Sequence, residues 1–270
     1  MKLEMFSSSY QRWYNYYFNE VADKRVADWP LMAGPERLVT ILVVYLLSVY
    51  IFLPNYMKNR KPYSLKNVIF YYNIFQILTC MYLIVGTILN GWIQSKVALI
   101  GCTNPDYSDD IIAINQLKLI YTATLLKIVE LIETVFFVLR KKQNQVSFLH
   151  VYHHTTTAIL SWLVTKYIGG GMMTLPVIVN CFIHVLMYTY YTIASLGPQW
   201  QKKLAPWKPK LTAAQLIQFV ILISHAVQVT APGCKVPKLA IVLYIPNILV
   251  LMYLFSQFYL KNYTKKTKQT

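Results

Sequence analysis

Seven apolar runs near residues 38–53, 68–89, 112–139, 148–167, 172–195, 212–230 and 239–260 restrict this chain more than any other feature. A helix needs about 20 residues to cross the hydrocarbon core of a membrane. Inside lipid every backbone N–H and C=O must be satisfied within its own element, so runs of this length read as membrane-spanning helices. The first run is short and the third is long, so their ends are soft. Composition agrees: 56% of the residues are hydrophobic and 13% charged, against about 25% charged in soluble chains. The expected fold class is therefore an all-α membrane protein with seven transmembrane helices.

The net charge of +16 is distributed by loop. The stretch "NYMKNRKPYSLK" after the first span holds four basic residues, "RKK" after the third holds three, "QWQKKLAPWKPK" after the fifth holds four and the tail "KNYTKKTKQT" four, with no acidic residue among them. The alternate loops hold Lys96, Lys166, Lys235 and Lys238, diluted by Asp106, Asp109 and Asp110. Basic loops stay in the cytosol, which puts the N-terminus outside and the C-terminus inside. Three regions follow: a non-cytoplasmic segment over 1–37, the spans over 38–260 and a cytosolic basic tail over 261–270. The N-terminal stretch has no apolar h-region of the kind a cleavable signal peptide carries. The charge is a topology signal whose partners are anionic headgroups or an anionic cytosolic substrate, not nucleic acid. Cys102 and Cys234 both fall in non-cytoplasmic loops, where a disulfide between them is expected. Cys80 and Cys181 lie inside spans. The final "KTKQT" resembles a dilysine endoplasmic-reticulum retrieval signal.

Polar groups inside the spans are the next constraint. Lys127, Glu130 and Glu133 follow one another at intervals of three on one stripe of the third span. Each charge at the bilayer centre costs about 2.5–3.5 kcal/mol, so the stripe must face the protein interior. Lys127 can pair with Glu130, and a purely structural ion pair is one reading of it. In the fourth span, "FLHVYHHTTT" packs His150, His153 and His154 into five positions on one helical face. The fifth span carries Asn180, His184, Met187, Tyr188 and Tyr191 within a narrow arc. The sixth carries Gln215 and Gln218, which are explained equally by hydrogen bonds to a neighbouring helix. His225 stands alone and reads as structural. At a rise of 1.5 Å per residue, Glu130 lies about 15 Å below Arg140 and His153 about 16 Å below Lys142. By the same measure His184 is about 20 Å from Gly197 and Gln218 about 12 Å from Lys210. Four alternating spans thus bring their polar groups to one level on the cytosolic side. A single polar chamber explains that alignment.

Four motifs then carry a resemblance. "KIVELIET" (127–134) matches K-x-x-E-x-x-D-T with Glu133 in place of Asp, and "NQVSFLHVYHH" (144–154) matches N-x-x-F-L-H-x-Y-H-H. "NCFIHVLMYTYY" (180–191) matches N-S-x-x-H-x-x-M-Y-x-Y-Y with Cys181 in place of Ser, and "TAAQLIQF" (212–219) matches T-x-x-Q-x-x-Q-F. Together they resemble the very-long-chain fatty acid elongases of the endoplasmic reticulum, which condense an acyl-CoA with malonyl-CoA to a 3-oxoacyl-CoA.

The resemblance implies an acyl-histidine intermediate on His153, because a neutral imidazole nitrogen attacks a thioester without prior ionisation. Cys181 is a poor nucleophile candidate, standing where the family prefers Ser. His184 is expected to steady the adduct or the enolate. His150 and His154 are expected to orient groups and move protons, helped by Asn180, Gln215 and Gln218. Lys127, Glu130 and Glu133 would fix the chamber. Lys141 and Lys142 suit the phosphates of CoA by position, with Asn144 and Tyr188 as further substrate-binding residues. Spans two to seven are expected to form a helical barrel around an acyl tunnel that is open to the cytosol. No metal and no bound cofactor is expected, only acyl-CoA and malonyl-CoA as substrates. Partners implied are the other enzymes of the elongation cycle (ketoacyl-CoA reductase, dehydratase, enoyl-CoA reductase) and a second copy of the chain. Two other classes fit in part. A di-iron desaturase needs about twice the clustered histidines present, and a seven-span receptor or transporter has no need of three histidines at the level of a carboxylate pair.

Overall fold

The computed structural model describes residues 2–94 and 99–264, with side chains described from residue 9 except for 239 and 240. Lys96 and the tail with Lys266 and Lys268 lie outside the described residues. Among the described residues the chain is helices and loops with no strand. The helices are α1 (Lys2–Asn15), α2 (Glu36–Met57), α3 (Lys66–Trp92), α4 (Ile111–Val129), α5 (Ile132–Leu139) and α6 (Phe148–Tyr167), followed by α7 (Thr174–Ser195), α8 (Pro198–Leu204), α9 (Trp207–Ala226) and α10 (Lys238–Tyr259).

Local chemistry sets several of these ends. Asp110 caps α4 by accepting from the Ile112 N–H at 2.8 Å, and Ser147 caps α6 by accepting from the His150 N–H at 3.2 Å. Between α6 and α7 the chain turns through Gly169 and Gly171, both at positive φ. A Cβ on Gly171 would meet the Thr103 carbonyl oxygen at 2.7 Å, so that close approach of two backbones requires glycine.

Among the described residues, five stretches are long and apolar enough to cross a membrane: Glu36–Met57, Lys66–Trp92, Gly171–Ser195, Trp207–Thr230 and Ile241–Thr264. They correspond to expected spans one, two, five, six and seven, and the first is longer than its apolar run because helix continues to Met57. Their outward faces carry exposed Val39, Val43, Leu78, Tyr82, Val220 and Tyr253, which suits lipid as a solvent. Expected spans three and four are helical but fall short of that apolar length and composition. They are the two that hold the lysine–glutamate stripe and the three histidines. Span three is also not one helix over 112–139. It breaks at Glu130–Leu131, where i→i+3 bonds (Leu131 N–H to Ile128 O at 3.2 Å, Glu133 N–H to Glu130 O at 3.1 Å) replace the α pattern and separate α4 from α5.

Six helices pack in a closed cycle. α3 contacts α4, α4 contacts α6, α6 contacts α10, α10 contacts α9, α9 contacts α7, and α7 returns to α3. α2 stands outside the cycle, packing Leu38, Leu42, Tyr45 and Val49 into a cluster with Leu131, Val138, Val151 and Trp162. At one end the Arg25 guanidinium donates to the Ser108 carbonyl at 2.6 Å, and Asp23 N–H donates to the Lys166 carbonyl at 2.9 Å. Cys102 and Cys234 are disulfide-bonded at that same end, with Cα atoms 5.6 Å apart, beside Ile168 and Met172. At the other end Tyr63 N–H donates to the Leu139 carbonyl at 3.1 Å, and Lys141 Nζ donates to the Lys58 carbonyl at 3.4 Å. One assignment in the charge map needs correction. Lys166 is not a loop charge; it lies in the last turn of α6, fully buried, donating to the Met32 carbonyl at 2.6 Å and the Ala33 carbonyl at 3.4 Å. Its partners come from a segment more than 130 residues away, which no local pattern announces.

Candidate active site

The helical cycle surrounds a partly open cavity, about 940 Å³ of empty space with the solvent at its mouth included, and all six helices line it. Most of the wall is apolar: Leu83 from α3, Ile120 and Leu126 from α4, Leu160 and Val164 from α6, Val177 from α7, Leu222 from α9 and Ile248 from α10. Its polar lining includes Lys127, His153, Asn180, Gln218 and Asn247. An apolar chamber with a few convergent polar groups is the usual form of a small-molecule site.

Lys127, on this wall, forms an ion pair with Glu130 buried behind it. Lys127 Nζ donates to both Glu130 oxygens, at 2.9 and 3.0 Å, and Glu130 has no exposed surface. His184 of α7 brings Nδ1 to 3.3 Å from Glu130 Oε1. That nitrogen is close enough to feel the carboxylate but is not aligned as a hydrogen bond.

Glu133 is engaged elsewhere. Its Oε1 accepts from Tyr72 of α3 at 3.0 Å and from Tyr188 of α7 in a short bond, while Oε2 lies 3.6 Å from His154 Nε2. Gln76 Nε2 donates to the Tyr72 hydroxyl at 2.7 Å and extends the network into α3. Two carboxylates three residues apart therefore serve different partners. Glu130 holds the ion pair beside His184, and Glu133 joins α3, α7 and α6.

The three clustered histidines divide in the same way. His150 and His154 lie one turn apart with their rings tilted by 51° and their centroids 4.2 Å from each other. His150 Nε2 shares a hydrogen bond with Thr134 Oγ1 at 3.0 Å, and Thr134 shares another with the Tyr45 hydroxyl at 2.8 Å. The outlying helix α2 thus reaches the histidine cluster through one threonine. His153 turns to the cavity, with its ring 5.2 Å from that of His154 and 6.1 Å from Phe255. A helical wheel groups all three on one face, and the folded chain assigns them to two environments.

The remaining expected residues fall as follows. Asn180 Nδ2 donates to Gln218 Oε1 at 3.4 Å, so the fifth and sixth spans meet at the cavity. Gln215 points its amide at the Met187 sulfur, 3.7 Å away, outside the cavity lining. Lys141, Lys142 and Asn144 sit exposed in the α5–α6 loop and do not line the cavity. Cys181 is a buried free thiol in the apolar wall. His225 bonds to the Met172 carbonyl at 3.0 Å, near the disulfide and away from the cavity.

Sequence reasoning did not single out Tyr45, Tyr72, Gln76 or Asn247, and it held Thr134 only as the last letter of the first motif. Tyr72 and Gln76 at i and i+4 in an apolar span were the available signal. Glu133, His150 and His154 each bring one ligand atom to within 4.8 Å of the others, a set that fits a single metal ion by donor type. Two of the three are already committed to hydrogen bonds, His150 to Thr134 and Glu133 to two tyrosines. The cluster therefore reads as a hydrogen-bond network before it reads as a ligand set.

A family model described as "ELO: GNS1/SUR4 family" matches residues 30–270 of this chain. Very long chain fatty acid elongase 4 of Mus musculus is 38% identical over 245 residues, which cover 91% of this chain and 77% of that protein. Very long chain fatty acid elongase 7 of Rattus norvegicus is 36% identical over 264 residues, covering 96% and 93%. Very long chain fatty acid elongase 1 of Mus musculus is 35% identical over 247 residues, covering 90% and 87%.

Proposed function

The chain belongs to the ELO family, and on that premise we propose that it elongates fatty acids in the endoplasmic-reticulum membrane. The reaction is that of a very-long-chain 3-oxoacyl-CoA synthase: a long-chain acyl-CoA and malonyl-CoA give 3-oxoacyl-CoA, CO2 and CoA. The observation that carries this reading is His153 on the wall of an apolar cavity, with a buried lysine–glutamate pair and His184 behind it.

The first half-reaction uses His153 as nucleophile. A neutral ring nitrogen attacks the thioester carbonyl carbon, the C–S bond breaks, and the CoA thiolate leaves with the proton lost from the ring. In the second, malonyl-CoA loses CO2 and its enolate attacks the acyl carbonyl. The C–N bond breaks and the imidazole regains a proton from solvent. His184, held beside Glu130, steadies the charge that develops on acyl group and enolate. His150 and His154, in the network of Thr134 and Glu133, orient His153 and relay protons. The apolar length of the cavity is the tunnel for the acyl chain. On this reading the chain crosses seven times, counting α4–α5 and α6, with the N-terminal segment and the disulfide in the lumen. The basic loops with Lys141, Lys142 and Asn144 then face the cytosol, where they meet CoA phosphates. The reaction requires no metal and no bound cofactor. Association with the other elongation-cycle enzymes or with a second copy follows from the same reading.

Purified enzyme given acyl-CoA without malonyl-CoA tests it. CoA should be released, and mass spectrometry should place the acyl mass on the peptide containing His153. His153→Ala should abolish both release and condensation. CoA release that waits for malonyl-CoA, with no acylated peptide after rapid quench, would overturn the covalent mechanism.

A further inference from the structure

Asn247 belongs to none of the four motifs. It follows Pro246 inside α10, a helix whose neighbouring positions are apolar. The residue lines the cavity that His153 lines. A primary amide offers one acceptor oxygen and two N–H donors. The oxygen is taken, because Asn247 Oδ1 accepts from the Tyr152 hydroxyl at 3.0 Å. Nδ2 is buried and has no hydrogen-bond partner among the described residues.

Several other polar side chains along this wall are engaged within the protein. Lys127 is on Glu130 at 2.9 Å, Thr157 on the His153 carbonyl at 2.7 Å, Ser161 on the Ala158 carbonyl at 3.2 Å, and Asn180 on Gln218 at 3.4 Å. Buried donors in folded proteins are nearly always satisfied, and an exception calls for an explanation. Of the buried side-chain atoms without a partner among the described residues, only Asn247 Nδ2 belongs to a residue that lines the cavity, where a ligand oxygen can meet it. Tyr152, which fixes the amide through its oxygen, is the residue immediately before His153. One turn of α6 thus presents the nucleophile and also sets the orientation of Asn247.

We propose that Asn247 is a further catalytic residue, whose side-chain N–H donates to the acyl carbonyl oxygen during transfer to His153. The inference rests on the acyl-histidine reading above. As the imidazole nitrogen bonds to the carbonyl carbon, that oxygen becomes an oxyanion. A fixed donor in a site of low dielectric stabilises the oxyanion more than the ground-state carbonyl. When the C–S bond breaks the carbonyl re-forms, the thiolate takes the ring proton, and Asn247 returns unchanged. Tyr152 is a positioning residue in this scheme.

The test is a single-turnover measurement of CoA release from acyl-CoA alone, with acyl-CoA affinity measured in parallel by thermal shift. Asn247→Ala should slow release about 10²-fold, the loss typical of one oxyanion donor, while affinity stays near that of the wild type. Asn247→Asp keeps the acceptor for Tyr152 and nearly the same shape but offers no N–H. It should be slowed at least as much. Tyr152→Phe should give a smaller loss and leave affinity unchanged. Wild-type release matched by both Asn247 variants would overturn this inference alone. Wild-type enzyme that releases no CoA without malonyl-CoA would overturn the acyl-histidine reading and this inference with it. Loss of acyl-CoA affinity in both variants would make Asn247 a structural residue and overturn the proposal.

Discussion

Replacing Glu130 by Gln keeps the side-chain shape and removes its charge. In the folded protein Glu130 is fully buried, accepts from Lys127 at 2.9 and 3.0 Å, and lies 3.3 Å from His184 Nδ1. At an effective dielectric near 20, unit charges about 3–4 Å apart attract by roughly 4–6 kcal/mol. Breaking a buried pair from one side costs about 3–5 kcal/mol, because the remaining charge is stranded. Glu130→Gln should therefore lose about 3–5 kcal/mol. At about 2–4 °C per kcal/mol that lowers the unfolding midpoint by on the order of 10 °C. Lys127→Met should lose a similar amount. The double variant Lys127→Met/Glu130→Leu strands no charge, so most of the stability should return. Elongation should not return with it, since Lys127 borders the cavity and His184 loses its carboxylate neighbour. Thermal unfolding of the four proteins in one detergent, beside incorporation of labelled malonyl-CoA, decides the matter. Losses that simply add in the double variant would refute a coupled buried pair. A double variant that elongates at the wild-type rate would refute the pair's part in the chemistry.

The Cys102–Cys234 bond spans a sequence separation of 132, so Cys102→Ser with Cys234→Ser should cost about 2–4 kcal/mol; alkylation of denatured, unreduced protein should label only Cys80 and Cys181. Tyr45→Phe should cost about 0.5–1.5 kcal/mol for the lost bond to Thr134 and slow elongation without changing acyl-CoA affinity, as both measurements on one preparation will report. His225→Ala should keep elongation and lower the unfolding midpoint, because its bond to Met172 braces the loop beside the disulfide. Chelator treatment should leave elongation intact, and metal analysis that finds a stoichiometric ion at Glu133, His150 and His154 would contradict that.

The sequence carried the motif-bearing faces of α6 and α7 well, because helical phase at 100° per residue is a local property. It carried the position of Lys127 against Glu130 for the same reason. Who stands opposite each face is not local. Tyr72 and Tyr188 converge on Glu133 from helices more than 110 residues apart in the chain, and either alone reads as an ordinary aromatic of an apolar span. The break at Glu130–Leu131 contains no glycine or proline, the residues that mark most such points. Asn247 was visible as a polar residue in an apolar run, but only the Tyr152 contact gives it a role. Lys166 was misassigned because a basic residue at a span end looks the same whether it faces water or two buried carbonyls.

Burying an ion pair, a second carboxylate and four histidines in one membrane bundle is tolerable only if their polar atoms are largely partnered. Two layers meet this condition differently. In the layer behind the cavity wall, Lys127 satisfies Glu130, two tyrosines satisfy Glu133, and Thr134, itself bonded to Tyr45, satisfies His150, while His154 Nδ1 and His184 Nδ1 have no hydrogen-bond partner among the described residues. These contacts draw on α2, α3, α4, α5, α6 and α7, so the network fixes helices as well as side chains. In the layer facing the cavity, the ring of His153 and the amide of Asn247 stand beside apolar wall. On the reading proposed above, a substrate carbonyl in this layer supplies the acceptor that the Asn247 amide lacks among the described residues. Substitutions in the rear layer should therefore lower stability and rate together, whereas His153 and Asn247 should separate rate from stability.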